Sequence, residues 1–125
     1  MSILIYDENH RQRFMMEQIV KQVGKDTEYD MDVYSCDNPE KALKYAGEDN
    51  VDTAFISVED KLGRGFFLAK KLKKLNPEIN LIPMAQEVKF GQEFIKLRVS
   101  GYILGERTKQ KVMDELDNLR YITTR

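Results

Sequence analysis

Acidic and hydroxyl side chains stand in this chain where short apolar runs end. Asp7 and Glu8 follow the run Ile3–Tyr6, and Ser57 lies near the end of the run Val51–Val58. Carboxylate pairs supplemented by further oxygen ligands are typical of Mg²⁺ sites in proteins. Because a serine hydroxyl is neutral and brings no charge to such an ion, residue 57 decides whether these side chains can form a working cation site.

The composition describes one compact domain, expected to span residues 1–125. Of the 125 residues, 42% are hydrophobic and 33% are charged, which is typical of a soluble chain with a single core. The 20 basic side chains nearly balance the 21 acidic ones, so no overall field attracts nucleic acid or an anionic membrane. The chain is expected to be one whole domain or the N-terminal part of a longer protein.

The first apolar run lacks a basic flank and breaks into acid at Asp7, which is not the pattern of a signal peptide or a membrane span. A cytoplasmic location is therefore expected. The single cysteine, Cys36, excludes an internal disulfide and a cysteine-based zinc site. It is interpreted as a small, half-buried side chain.

Apolar runs alternate with helical patterns along the chain, which predicts five β/α units. The first run is continuously apolar rather than alternating, as expected of a parallel strand covered on both faces. The predicted fold class is therefore α/β, with a five-stranded parallel sheet between two layers of helices. The predicted strands are 3–6, 31–36, 51–58, 79–85 and 101–104.

Capping residues mark the predicted helix starts, with Asn9 before the first helix and Thr108 before the last. The first helix is predicted to end at Gly24. Pro83 is predicted to shorten the fourth strand or to introduce a bulge, because proline cannot donate to a strand ladder. The basic run Lys70–Lys74 is interpreted as the solvated face of the third helix. The side chains predicted to face inward from the first helix are Phe14, Met15, Ile19 and Val23.

In open parallel sheets, binding sites form where the carboxyl ends of the strands converge. Polar and small residues at these ends are therefore expected to meet at one edge of the sheet. The residues that the strands deliver there are Asp7, Glu8, Ser57, Glu59, Met84, Ala85, Leu104, Gly105 and Glu106.

This ordered set resembles a response-regulator receiver domain over nearly the whole chain. Ile3–Asn9 resembles the family's first strand and acidic pair, and Arg13 its following arginine. Val51–Val58, followed by Gly65, resembles the stretch that holds the phosphorylated aspartate, and Ser100–Leu104 resembles the fifth-strand signature. The segments 68–77 and 114–121 resemble receivers that precede a LytTR-type DNA-binding domain. The resemblance implies a flavodoxin-like (βα)5 fold, doubly wound, with strand order 2-1-3-4-5.

In receivers, an aspartate takes a phosphoryl group from a kinase histidine or a small donor while the acidic pair helps to hold Mg²⁺. A hydroxyl and a lysine then bind the phosphoryl oxygens. In this chain Asp7 and Glu8 fit the acidic pair. The acceptor position is Ser57, the hydroxyl position is Met84 and the lysine position is Gly105. Serine cannot form the labile acyl phosphate, a thioether cannot donate a hydrogen bond, and glycine supplies no cation.

These departures predict a pseudo-receiver without enzymatic activity, which acts in signal transduction by phosphorylation-independent protein–protein interaction or dimerisation. No catalytic residue and no cofactor are expected. No metal is expected either, with weak Mg²⁺ binding at Asp7 and Glu8 as the alternative. Tyr102 matches the family's switch aromatic and is interpreted as a packed edge tyrosine with a solvated hydroxyl. His10 is interpreted as a surface residue.

The face formed by the fourth helix, the fifth strand and the fifth helix is predicted to contact a protein partner or a second copy. Membrane contact and direct nucleic-acid binding by this domain are not expected. One alternative is an unusual phospho-receiver, in which Glu59 or Asp60 accepts the phosphoryl group and an attached or separate DNA-binding output domain is regulated. Another is a small-ligand or cofactor protein, although the loop Asp7–His10 is acidic and has no glycine with which to receive a phosphate.

Overall fold

The computed structural model describes residues 1–123, which form a parallel five-stranded sheet in the order β2-β1-β3-β4-β5 with helices on both faces. The predicted fold class and strand order are confirmed. Residues 124 and 125 of the predicted domain lie outside the described residues. The elements are β1 Ser2–Tyr6, α1 His10–Asp26, β2 Asp32–Cys36, α2 Pro39–Glu48, β3 Thr53–Ser57, α3 Arg64–Leu75, β4 Asn80–Ala85, α4 Gly91–Lys96, β5 Ile103–Leu104 and α5 Lys109–Asp117.

The sheet separates two apolar cores, because successive side chains of a strand point to opposite faces. Leu4 and Ile56 pack with side chains of α2, α3 and α4 on one face. Ile5 and Phe55 pack with α1 and α5 on the other. Since both faces are covered, the inner strands read as continuous apolar runs. Among residues 1–123, no helix combines the length and apolar character needed to cross a membrane.

The inward face of α1 agrees with the prediction at Ile19 and Val23 but not at Phe14 and Met15. Its buried residues are Met16, Val20 and Val23, whereas Phe14 is 59% exposed and Met15 is 38% exposed. Both stripes have three- and four-residue spacing, so periodicity alone could not choose between them. The helix also continues past Gly24 to Asp26 and ends at Thr27, whose N–H donates to the Val23 carbonyl at 3.0 Å.

Pro83 neither ends β4 nor breaks its register, so that prediction was wrong. Ile56 pairs with Pro83 and Ser57 with Met84 in an uninterrupted ladder. The Met84 carbonyl accepts from Val58 on the β3 side, while the Ala85 carbonyl accepts from Gly105 on the β5 side. Alternation along the strand therefore points the missing N–H of Pro83 toward β5. On that side, β5 pairs with β4 only from Met84 onward, so Pro83 has no strand partner opposite its nitrogen. The β3 ladder therefore keeps all of its hydrogen bonds.

A fully buried asparagine in β4, Asn80, holds the chain that follows α5. Its side-chain amide donates to the Tyr121 carbonyl at 3.0 Å, and its carbonyl oxygen accepts from the Tyr121 N–H at 2.8 Å. The Ser100 hydroxyl donates to the same asparagine oxygen at 3.1 Å and accepts from the Arg120 N–H at 2.7 Å. The Lys73 ammonium lies 4.5 Å from the centroid of the Tyr121 ring. These bonds anchor the segment after α5 at the amino end of the sheet, opposite the carboxyl-edge site.

Cys36 at the end of β2 is buried, with 3% exposure, rather than half-buried. Its thiol faces the Ile5 carbonyl at 3.7 Å. Burial raises the pKa of the Cys36 thiol to about 12, so the reactive thiolate is scarce at neutral pH.

We expect a disulfide reagent such as DTNB to label Cys36 in the folded protein far more slowly than in the urea-unfolded chain at pH 8. Equal labelling rates in the two states would contradict this burial.

Candidate functional site

The carboxyl edge of the sheet encloses a cavity of about 430 Å³, formed where β1, β3 and β4 end and the loops lead on to the helices. The predicted convergence of Asp7, Glu8, Ser57 and Glu59 at one edge is observed. Three amide side chains and one guanidinium share the cavity with these residues. Its lining residues are Tyr6, Asp7, Glu8, Asn9, Gln12, Ser57, Glu59, Asp60, Gln86 and Arg107.

Arg107 places a cation inside this acidic cavity. Its guanidinium donates to Asp7 Oδ2 at 2.5 Å, and both side chains are almost fully buried, at 4% and 5% exposure. A second guanidinium nitrogen lies 3.9 Å from Glu59 Oε1. A buried carboxylate paired in this way is already neutralised. Gly105 stands at the lysine position and carries no charge. Arg107, two residues later, brings a positive charge into the cavity.

The loop between β5 and α5 directs Arg107 inward. Gly105 adopts φ +75°, a left-handed conformation that favours glycine, and its N–H donates to the Ala85 carbonyl at 2.9 Å. Lys111 donates to the carbonyls of Leu104 and Glu106 at 2.7 and 2.8 Å, which fixes the same loop from α5. Glu106 is exposed, whereas its neighbour Arg107 is buried.

The strand-end residues predicted from the sequence stopped at Glu106 and did not include Arg107. The available signal was that Arg107 is the only basic residue between β5 and α5. A basic side chain in a loop that faces two carboxylate positions could have been weighed as their counter-ion. Sequence spacing alone did not show which way its side chain turns.

Glu8 is also engaged within the protein. Tyr6 donates its hydroxyl hydrogen to Glu8 Oε2 at 2.5 Å, and Arg64 donates to Glu8 Oε1 at 3.1 Å. Burial, with smaller contributions from the hydrogen bond and charge of Glu8, raises the pKa of Tyr6 well above its usual value. The tyrosine therefore stays a hydrogen-bond donor. The two members of the acidic pair are each bound to a separate internal partner.

Asp60 stabilises the start of α3 from the preceding loop, since the N-cap residue Gly63 has no side chain with which to accept a hydrogen bond. Its carboxylate accepts the N–H of Arg64 at 2.7 Å and the N–H of Gly65 at 3.1 Å. Satisfying these orphan donors and the positive helix end stabilises the start of the helix. Glu59 has looser contacts, since its side chain is 37% exposed and its Oε1 lies 3.9 Å from the Arg107 guanidinium. Of the two loop acids weighed as phosphoryl acceptors, only Glu59 has a side chain free of a structural hydrogen bond within residues 1–123.

None of the switch positions predicted from the sequence, Met84, Gly105 and Tyr102, lines the cavity. Ser57 lines it, whereas Met84 is fully buried in the core beneath α1 and α5 and is not among the lining residues. Gln86, two residues later, occupies the wall at the end of β4. A side-chain amide there can both donate and accept hydrogen bonds.

Tyr102 lies outside the cavity, between the loop after β4 and the aromatic side chains of α4. Its hydroxyl accepts the Lys89 N–H and donates to the Lys89 carbonyl, each at 3.2 Å. Its ring meets Phe94 edge-on at 5.9 Å. Burial raises the pKa of Tyr102. His10 is exposed, with its ring nitrogen 2.7 Å from the Arg13 guanidinium.

The residues at this site do not fit a divalent cation. Asp7 is bound to Arg107, Glu8 is bound to Tyr6 and Arg64, and Ser57 offers a neutral oxygen. Hard cations such as Mg²⁺ need carboxylate oxygens that are free to coordinate. Within residues 1–123, no three carboxylate, imidazole or thiol groups converge as metal ligands.

No family model and no curated protein matches this chain. Solved structures do match. The chemotaxis protein CheY4 of Vibrio cholerae has a TM-score of 0.79 at 16% identity, covering 94% of this chain and 97% of that protein. The REC domain of AraT, a response regulator from Geobacillus stearothermophilus, has a TM-score of 0.72 at 22% identity, covering 93% and 89%.

A response regulator from Burkholderia pseudomallei, solved with a phosphorylated aspartic acid and a calcium ion, has a TM-score of 0.71 at 15% identity, covering 92% of this chain and 65% of that one. At such identities the likeness concerns the backbone. The predicted resemblance to receiver domains is confirmed at that level, since the chain has the fold of the CheY-like response-regulator receiver domains, whereas the resemblance to receivers of the LytTR type stays a prediction.

Proposed function

We propose that this chain is a receiver-like signalling module that acts by binding a protein partner or a second copy, without a phosphoryl-transfer step. The observation that carries the proposal is the buried ion pair between Arg107 and Asp7. An internal cation occupies the acidic cavity and leaves Asp7 no free carboxylate for Mg²⁺. Ser57 at the acceptor position adds a second, independent obstacle.

The face formed by α4, β5 and α5 is the proposed contact surface. Two large apolar side chains are exposed on it, Ile95 at 75% on α4 and Leu104 at 42% on the edge strand β5. Desolvation of such side chains is a main source of affinity in protein interfaces. Tyr102 and its bonds to Lys89 hold the loop beside this face in place.

The first test is addition of Mg²⁺ with acetyl phosphate, or with beryllofluoride, followed by intact-mass measurement and amide NMR spectra. We expect no phosphoryl adduct and no saturable shift at the loop after Ser57. A receiver that autophosphorylates under the same conditions serves as the positive control. A stable adduct on Glu59 would instead support the alternative function, an unusual phospho-receiver that regulates a DNA-binding output domain.

A second test introduces an aspartate at position 57 and then removes the Arg107 cation, one substitution at a time. Ser57→Asp alone should not confer Mg²⁺ binding, because Arg107 still holds Asp7. Ser57→Asp combined with Arg107→Ala should produce saturable, Mg²⁺-dependent amide shifts at Asp7 and residue 57, because the carboxylates of both are then free to coordinate beside Glu59. Saturable Mg²⁺ binding by the unmodified protein would contradict the proposal.

Binding through the α4-β5-α5 face is tested by light scattering after size-exclusion chromatography, with Ile95→Ser and Leu104→Ser as the variants. Self-association that these variants weaken would support a contact there. Phe14→Ser, which removes an exposed apolar side chain from α1, is the matched control.

A further inference from the structure

The outward face of α3 combines basic and large apolar side chains and has no acidic ones. Phe67 is 54% exposed and Leu75 is 60% exposed. Lys70, Lys71 and Lys74 are exposed between them. These five residues recur at the spacing i, i+3, i+4, i+7 and i+8, so they lie on one stripe of the helix. We call them the α3 stripe.

The lysines of the α3 stripe make few contacts within the fold, among them that of Lys70 with the Phe66 ring, at 5.6 Å from its centroid. None of the three forms an ion pair with a carboxylate in the part of the chain that the structure describes. By contrast, Lys73 beside them contacts Tyr121, and Arg64 at the helix start pairs with Glu8. Lys71 lies over the Phe67 ring at 4.5 Å, which keeps the charge next to the exposed aromatic surface.

The charge of the α3 stripe is local. The whole chain has a net charge of -1, yet the sequence of α3, RGFFLAKKLKKL, contains five basic residues and no acidic one. A symmetric contact of α3 with α3 in a second copy would therefore set lysine against lysine, which is unfavourable. The low overall charge also gives little long-range attraction to nucleic acid or to an anionic membrane.

We propose that the α3 stripe is a docking surface for an acidic, amphipathic helix of a different protein. Phe67 and Leu75 are separated by eight residues, or about 12 Å along the helix. Apolar side chains of a partner helix can cover this distance in two to three turns, while its carboxylates meet the lysines. α3 shares one face of the sheet with α4, but none of the five stripe residues belongs to α4, β5 or α5, and none lines the cavity, so this surface is distinct from both.

The probe is a synthetic helical peptide with leucines at i, i+4, i+7 and i+11 and glutamates flanking them. We expect its titration to shift the amides of α3 selectively and its affinity to fall as salt rises. Lys70→Glu, Lys71→Glu and Lys74→Glu combined should weaken binding at least about tenfold. The double variant Phe67→Ser with Leu75→Ser should also weaken peptide binding. This loss should appear at low salt as well as at high salt, because apolar contact rather than charge is removed.

The matched control is the triple variant Arg11→Glu, Lys21→Glu and Lys25→Glu, which changes the net charge equally on α1 and should leave α3 binding nearly intact. A scrambled peptide of the same composition should bind weakly. The proposal is overturned by absence of α3 shifts, by equal losses in both triple variants, or by tighter α3 binding to phosphatidylglycerol vesicles or duplex DNA than to the peptide. If the cavity proves able to accept a phosphoryl group, the proposed function is wrong, but the peptide binding measured at α3 still stands.

Discussion

Replacing Asp7 with asparagine is expected to destabilise the protein by about 3 kcal/mol, because it leaves the Arg107 guanidinium buried without its counter-ion. Asparagine is nearly isosteric and keeps the oxygen that accepts the Asn9 N–H at 2.9 Å. Loss of charge, rather than loss of volume, should therefore account for the effect. Urea unfolding at neutral pH, with the slope compared between variants, measures it.

The double variant Asp7→Asn with Arg107→Met tests the same ion pair from the other side. Removing both charges should return the free energy of unfolding to within about 1 kcal/mol of the unmodified protein, since an apolar replacement of a buried pair is often neutral. Arg107→Met alone leaves Asp7 unpaired and should also be destabilising. Strictly additive effects of the two single variants would show that the 2.5 Å contact is not an energetic pair.

Replacing Gly65 with alanine is expected to destabilise the protein by at least about 2 kcal/mol, because the first turn of α3 lies directly on the end of β3. A Cβ atom on Gly65 would overlap the Ser57 carbonyl oxygen and lie 3.2 Å from the Val58 Cα. Both neighbours are backbone atoms, so neither can turn away as a side chain would. Amide spectra should show displacement at Ser57 together with the loss of stability.

Gly47→Ala is the matched control for this substitution. Gly47 lies in α2, where an alanine Cβ would have no atom of another part of the protein within 4 Å, and its φ is not positive. Alanine should therefore stabilise α2 by about 0.5 to 1 kcal/mol through its better helix propensity. Similar destabilisation in both variants would contradict the close approach of α3 to β3.

Gly65 also links the sequence motif to its physical cause. The sequence has a glycine eight residues after Ser57, a spacing that resembles the receiver pattern. The structure shows why that spacing matters, because the loop must return α3 onto the strand end with no side chain between them. Asp60, within this loop, stabilises the start of the helix that Gly65 allows to approach.

The inward face of α1 and Pro83 mark the limits of local pattern. Phe14 and Met15 matched a helical period as well as Met16 and Val20 did, and only packing against the sheet selected between them. The prediction for Pro83 assumed an average interior strand. The sheet tolerates Pro83 because its nitrogen faces β5 and not the β3 ladder. Which neighbour a nitrogen faces depends on how the strands pair, and the sequence of one strand does not show this.

By itself, the sequence determined the order of elements, the fold class and four of the side chains that line the cavity at the carboxyl edge of the sheet, Asp7, Glu8, Ser57 and Glu59. These follow from apolar periodicity and from capping, turn and strand-end residues, which act over a few neighbouring positions. Only the tertiary structure decided that Arg107 turns into the cavity and pairs with Asp7, 100 positions away. The reason is physical: the direction of that side chain is set by the left-handed turn at Gly105, by Lys111 and by a buried carboxylate from the other end of the chain.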